Sequence, residues 1–129
     1  MTYLLDSNVV LWMLGEPQKL TPAVLRLLED GGNSLVVSTA SVWELSIKVA
    51  KGKLALPGGS VRELLEQLDL LGVALLPVGR EHILRTEVLP HLHGDPFDRM
   101  IVAQAMVEKL PILSSDPMLA RYGATVLWN

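Results

Sequence analysis

Four acidic residues, Asp6, Glu44, Asp98 and Asp116, stand far apart in the chain, each beside a segment that reads as a buried strand or as a helix joined to one. Asp6 follows Tyr3-Leu4-Leu5 directly, and Asp116 follows the strand Pro111 to Leu113 after Ser114-Ser115. Glu44 lies two turns into the helix expected after the second strand. Asp98 lies in the first turn of the helix that leads into the fourth. In an open parallel sheet, the sites just beyond the carboxyl ends of the strands share one edge, so these carboxylates have a common address. Gathered there, like charges raise one another's pKa and destabilise the fold. A divalent cation removes that conflict. All the candidate ligands are oxygens, cysteine is absent, and the three histidines lack zinc-ligand spacing. Such a donor set suits Mg²⁺ or Mn²⁺ and not a closed zinc site.

Each acid also has a structural reading. Asp116 before Pro117 is an N-cap with proline at the first helical position. Asp95-Pro96-Phe97-Asp98 reads as a cap with an acid at N3, close to a capping box, which makes Asp95 a cap or a supporting residue in preference to a ligand. Glu44 can pair with Lys48 on a helix face shared with Ser41 and Lys51, an interaction worth about 0.2–0.5 kcal/mol. Asp6 is the hardest to dismiss, because a carboxylate straight after a buried strand is costly unless capped or paired.

The elements that must position these residues follow from punctuation and apolar runs. Strands are expected at Tyr3 to Leu5, Ser34 to Val37, Val73 to Val78, Pro111 to Leu113 and Thr125 to Trp128. A short helix is expected from Val9 to Leu14. A longer one starts at Thr21-Pro22 and runs to Gly31-Gly32. The hydroxyl cluster Ser38 to Ser41 opens a helix to about Lys51, and Ser60 caps one reaching Leu71. Further helices span Arg80 to about Val88 and Phe97 to Lys109, and Asp116-Pro117 starts a short one. Short apolar strands alternating with helices indicate a parallel sheet covered on both faces. The fold class is α/β: a three-layer α/β/α sandwich with a central, mostly parallel sheet of four to five strands.

Composition bounds the rest. The 129 residues form one domain, 1–129, half apolar and only 19% charged, which argues against disorder. Without cysteine, disulfides and thiolate chemistry are excluded. The start has an aspartate and no basic region, unlike a secretory peptide, and no apolar stretch approaches the roughly 20 residues of a membrane span. The expectation is a soluble, cytoplasmic protein without a membrane partner. The net charge of −3 disfavours a polyanionic partner unless the acids cluster where a bound cation reverses the local sign.

Leu4-Leu5-Asp6-Ser7-Asn8, Ser41-Val42-Trp43-Glu44, His93-Gly94-Asp95-Pro96-Phe97-Asp98-Arg99 with Ile101 to Ala105, and Leu113-Ser114-Ser115-Asp116 together resemble PIN-domain nucleases. The resemblance is closest to VapC-type toxins of prokaryotic toxin–antitoxin pairs, and it covers essentially the whole chain. It implies a Mg²⁺-dependent ribonuclease, with Mn²⁺ a possible substitute, whose metal-binding set is Asp6, Glu44, Asp98 and Asp116. It also implies a cognate antitoxin and a homodimer. Two positions depart from the family: Ser7 and Ser114 stand where threonine is usual, and both keep a hydroxyl. Asp95 is shared with one branch. Ser7 and Asn8 are expected to orient ligands or water, local capping being the alternative for Asn8. Lys48, Lys51, Lys53 and Arg99 are the cations placed to meet RNA phosphates, although exposed lysines need no function. His91 and His93 read as loop residues without a role. Two rivals come from other classes. A small-molecule phosphatase would carry a second Asp two residues after the first, where this chain has Asn8. A non-catalytic binding or dimerisation module would use all its acids structurally.

Overall fold

A computed structural model describes residues 1–129. Five short strands, β1 (Thr2–Leu5), β2 (Ser34–Ser38), β3 (Ala74–Leu76), β4 (Ile112–Leu113) and β5 (Val126–Leu127), form one sheet in the order β3-β2-β1-β4-β5. Every pairing is parallel. Parallel neighbours require crossovers. These are α1 (Ser7–Gly15), a 3-10 turn (Pro17–Lys19), α2 (Pro22–Glu29), α3 (Thr39–Ala50), α4 (Val61–Leu70), α5 (Arg80–Val88), α6 (Pro96–Glu108) and a second 3-10 turn (Leu119–Tyr122).

Alternation along the strands divides the interior in two. Tyr3, Leu5, Val37 and Leu113 face one side, packed against Val9, Val10, Val24, Leu45, Leu64 and Leu68 of α1 to α4. Leu4 and Ile112 face the other, against Leu89, Ile101, Val102, Ala105 and Leu119. Each fully buried leucine or isoleucine contributes about 1.5–3 kcal/mol, so both helical layers are held by burial. The result is the expected three-layer sandwich, with a sheet that is parallel throughout.

The strand order reverses around β1, with β2 and β3 on one side and β4 and β5 on the other. The crevice for a ligand in such a sheet opens at that reversal. Leu5 pairs with Leu113, and the Asp6 N–H donates to the Leu113 carbonyl at 3.0 Å. Asp6 and Ser114 therefore leave the sheet side by side.

Several boundaries differ from the sequence expectation. Helix α1 starts at Ser7, because Asp6 itself is the N-cap and its Oδ1 accepts the Ser7 N–H at 2.8 Å. Strand β3 ends at Leu76, where Pro77 brings no N–H to the ladder. After Asp116-Pro117 the chain makes a turn and then only a four-residue 3-10 helix, which Gly123 ends at φ +95°. Helix α6 ends on Lys109 in the left-handed region, φ +58°. No helix is long and apolar enough to cross a membrane.

Candidate active site

Asp6 is buried, only 7% exposed, and both of its oxygens are engaged. Oδ1 accepts from the Ser7 N–H, and Oδ2 accepts from the Ser114 hydroxyl at 2.7 Å. The Ser114 Oγ in turn accepts the Asp116 N–H at 3.0 Å. One serine thus ties the end of β4, the carboxylate after β1 and the segment carrying Asp116. From the first turn of α1, the Ser7 hydroxyl donates to Glu44 Oε1 at 3.2 Å, joining α3 to the same cluster. Glu44 also has Lys48 Nζ at 3.7 Å from Oε2.

The fourth segment enters at the start of α6. Asp95 is its N-cap, and Oδ1 accepts from Phe97 N at 2.9 Å and Asp98 N at 3.2 Å. That turn fixes the backbone of Asp98, whose carboxylate oxygen Oδ2 lies 3.3 Å from His93 Nε2.

The electrostatics show that the acids converge. Burial chiefly, then the fields of Asp95, Asp6, Asp116 and Glu44, push the Asp98 carboxyl up to about 7. Burial raises Asp6, and the hydrogen bonds from Ser114 and Ser7 only partly offset it, while Asp116 and Asp95 raise it further. Burial raises Glu44 against the pull of Lys48, with Asp95 adding to the rise. Groups from four remote segments therefore lie close enough to resist one another's ionisation.

This is an arrangement short of positive charge. As they stand, no three carboxylate or histidine side chains close round a common point tightly enough to enclose an ion. The donors are nonetheless all hard oxygens, partly desolvated and mutually repelling, and that chemistry fits a hard divalent cation. The residues that would hold it are Asp6, Glu44, Asp98 and Asp116.

A PIN-domain family model matches residues 3–124. The chain belongs to the PIN-domain family. The curated ribonuclease VapC22 of Mycobacterium tuberculosis is 31% identical to this PIN domain over 121 residues, covering 92% of this chain and 89% of that protein. Among solved structures, VapBC2 of Rickettsia felis bound to a promoter DNA fragment is similar with a TM-score of 0.73 at 17% identity over 100% of both chains. A toxin–antitoxin complex from Klebsiella pneumoniae is similar with a TM-score of 0.62 at 15% identity, covering 97% of this chain and 95% of that one. At such identities the two structures bear on the fold alone.

Of the residues singled out in the sequence, Asp6, Ser7, Glu44, Asp95, Asp98, Ser114 and Asp116 are thus linked by contact or by field. Asn8, Lys48 and Lys51 are exposed, and of the three only Lys48 lies against a site acid, Glu44. Arg99 requires a correction. Its guanidinium donates to the carbonyls of Pro90 at 2.8 Å, Thr86 at 3.0 Å and Leu89 at 3.4 Å. It ties down the end of α5 and the loop after it, so its Nη1 and Nη2 donors are already committed and not free for phosphate. His93 was missed: its imidazole lies between Tyr122 and Asp98. The dipeptide spacing His93–Asp95 carries no metal-ligand pattern, and only the folded loop brings the ring to Asp98.

Proposed function

We propose that this PIN domain is a metal-dependent ribonuclease, the toxin component of a toxin–antitoxin pair, and that Asp6, Glu44, Asp98 and Asp116 hold Mg²⁺ or Mn²⁺. The observation that carries the reading is Asp98, a half-buried carboxyl raised to about 7 in the field of four other acids. The ribonuclease name of the relative at 31% identity supports the substrate class.

A cation bound there would activate water and stabilise charge on the scissile phosphate and its leaving oxygen. Everything else is done by the chain. Ser114 and the Ser7 N–H hold Asp6 ionisable and fixed in direction. The Ser7 hydroxyl aims Glu44 inward. Asp95 sets the first turn of α6 and thereby the direction of Asp98. Lys48, on α3 and 3.7 Å from Glu44, and Lys51, exposed at the end of that helix, attract the phosphates that flank the cleavage point. The carboxylates position and do not attack.

The partners follow from the same reading. RNA enters the acidic crevice, and a cognate antitoxin covers it in the resting complex. A second copy of the chain meets the apolar face beside the site. There Trp43, 62% exposed, lies edge-on to Phe97 at 5.5 Å and lines a cavity of about 600 Å³ with Val78, Pro96 and Met100. Large aromatic side chains are enriched in such interfaces. The test is cleavage of structured RNA in Mn²⁺ by the wild type, Asp6→Asn and Asp98→Asn, with a generic phosphomonoester in parallel. Loss of RNA cleavage in both folded variants is expected. Wild-type rates in either variant, or turnover of the monoester alone, would overturn the reading.

A further inference from the structure

A chain of polar contacts that the proposed chemistry does not use runs from α6 through the second 3-10 turn to His93 in the loop before α6. Arg99 Nη1 lies 3.4 Å from the Tyr122 hydroxyl. That hydroxyl lies 2.7 Å from His93 Nδ1, and His93 Nε2 lies 3.3 Å from Asp98 Oδ2. Tyr122 is buried at 5% exposure. The buried Nε2 has no aligned hydrogen-bond partner, and the Asp98 carboxylate is the acid it faces.

The direction of this chain is fixed by chemistry. Arginine only donates, so the Tyr122 oxygen accepts from Arg99. The buried Tyr122 O–H needs an acceptor, and of its two contacts only His93 Nδ1 can accept, so it donates there. A nitrogen that accepts carries no proton in neutral imidazole, so the proton sits on Nε2, the atom turned to Asp98. The opposite tautomer would leave the buried Tyr122 proton without an acceptor and would turn an Nε2 lone pair on the Asp98 oxygen 3.3 Å away whenever that carboxyl is ionised. Both are costly. Arg99 cannot swing away, because three backbone carbonyls hold it.

We infer that His93 is a positioning residue for Asp98: locked by Tyr122 and Arg99 as the Nε2–H tautomer, it donates to Oδ2 and so fixes which way the carboxylate presents its other lone pairs to a divalent cation. This rests on the metal-binding reading above. Partners that orient a ligating carboxylate typically account for 10–100-fold in metal affinity. Contacts of this kind are often long in the unliganded protein and tighten on loading, as the unaligned 3.3 Å separation would require.

The test uses the full chain and Mn²⁺ alone, with free Mn²⁺ followed by electron paramagnetic resonance, together with ¹⁵N spectra of the imidazole. In the metal-free wild type, the ¹⁵N shifts should report His93 protonated at Nε2. His93→Ala should raise the Mn²⁺ dissociation constant by about 10–100-fold. His93→Gln, which returns an N–H donor near the Nε2 position, should recover most of that loss. Tyr122→Phe keeps the ring in its core, frees the tautomer and should weaken Mn²⁺ by several-fold. It also serves if His93→Ala fails to fold. If the wild type binds Mn²⁺ but folded His93→Ala or Tyr122→Phe binds within about twofold of it, or if His93 is protonated at Nδ1, the positioning role is wrong while the metal site stands. If the wild type binds no Mn²⁺ at millimolar concentration, the metal reading itself fails.

Discussion

Replacing Asp98 with asparagine separates a gathered metal site from four unrelated structural acids, because the two accounts differ in the sign of the stability change. In the folded chain Asp98 keeps its proton up to about 7, against an ordinary value of 3.8. Each tenfold change in proton affinity is worth 1.36 kcal/mol, so ionising Asp98 in the metal-free protein costs up to about 4 kcal/mol, a cost shared with the acids that repel it. Its side chain is 20% exposed, so solvent screens only part of this. Against it stands the favourable placement of a negative charge in the first turn of α6, about 0.3–1 kcal/mol. A net gain of roughly 2 kcal/mol is expected for Asp98→Asn at pH 8, or about 6–10 °C in Tm for a domain of this size. The sign with pH is definite. Between pH 3.8 and about 7 the folded state binds more protons at Asp98 than the unfolded chain does, so this contribution to stability falls as pH rises through that window. The advantage of Asp98→Asn should be absent near pH 4, grow toward pH 7 and stay level above it. Adding Mn²⁺ at 100 times its dissociation constant should stabilise the wild type by about 2.7 kcal/mol and leave the variant unmoved. Calorimetric melting at pH 4.5, 6 and 8 with and without Mn²⁺ measures all of this. A variant less stable than the wild type at pH 8 without metal would refute the reasoning, since Asp98 would then be a structural cap and not a repelled ligand.

Other predictions follow from single contacts. Ser114→Ala leaves Asp6 Oδ2 and the Asp116 N–H without their shared hydroxyl and should cost about 1–3 kcal/mol in chemical denaturation, whereas Ser114→Thr should retain RNA cleavage. Arg99→Ala should destabilise by a similar amount through the loss of its carbonyl contacts; a weakened dependence of RNA binding on salt with unchanged stability would instead restore it as a phosphate contact. Lys109→Gly should stabilise by about 0.5–1 kcal/mol, since glycine enters the left-handed conformation of that helix end without penalty. Trp43→Glu should turn the proposed dimer into a monomer in light scattering while its melting temperature holds within about 3 °C; a wild type that is itself monomeric, or a variant of unchanged mass, would overturn this face as a dimer interface.

The sequence was most legible where local rules and buried strands coincide. Tyr3 to Asp6 and Leu113 to Asp116 could be placed because a run of apolar residues ending in an acid marks the carboxyl edge of a parallel sheet. Thr21-Pro22, Ser60 and Asp95-Pro96 announced their helices through capping chemistry, and their side chains cap as expected. What stayed hidden depended on distant partners. The order of strands is decided by which apolar faces pack after folding, and nothing local in β4 or β5, with two residues each, encodes their neighbours. Asp6 reads as the end of a strand, yet it also starts α1, because the same carboxylate caps the helix and accepts from Ser114. Arg99 looks like a free cation placed to meet phosphates until the carbonyls at the end of α5 come within reach. His93 has no periodic or spaced partner, and Tyr122 lies 29 residues away.

The most direct test is a crystal soaked in Mn²⁺ and measured at the manganese absorption edge. The account predicts an anomalous peak in the crevice between the ends of β1 and β4, within ligating distance of Asp6 and Asp98. Manganese at full occupancy elsewhere on the surface, with that crevice occupied only by water, would contradict it.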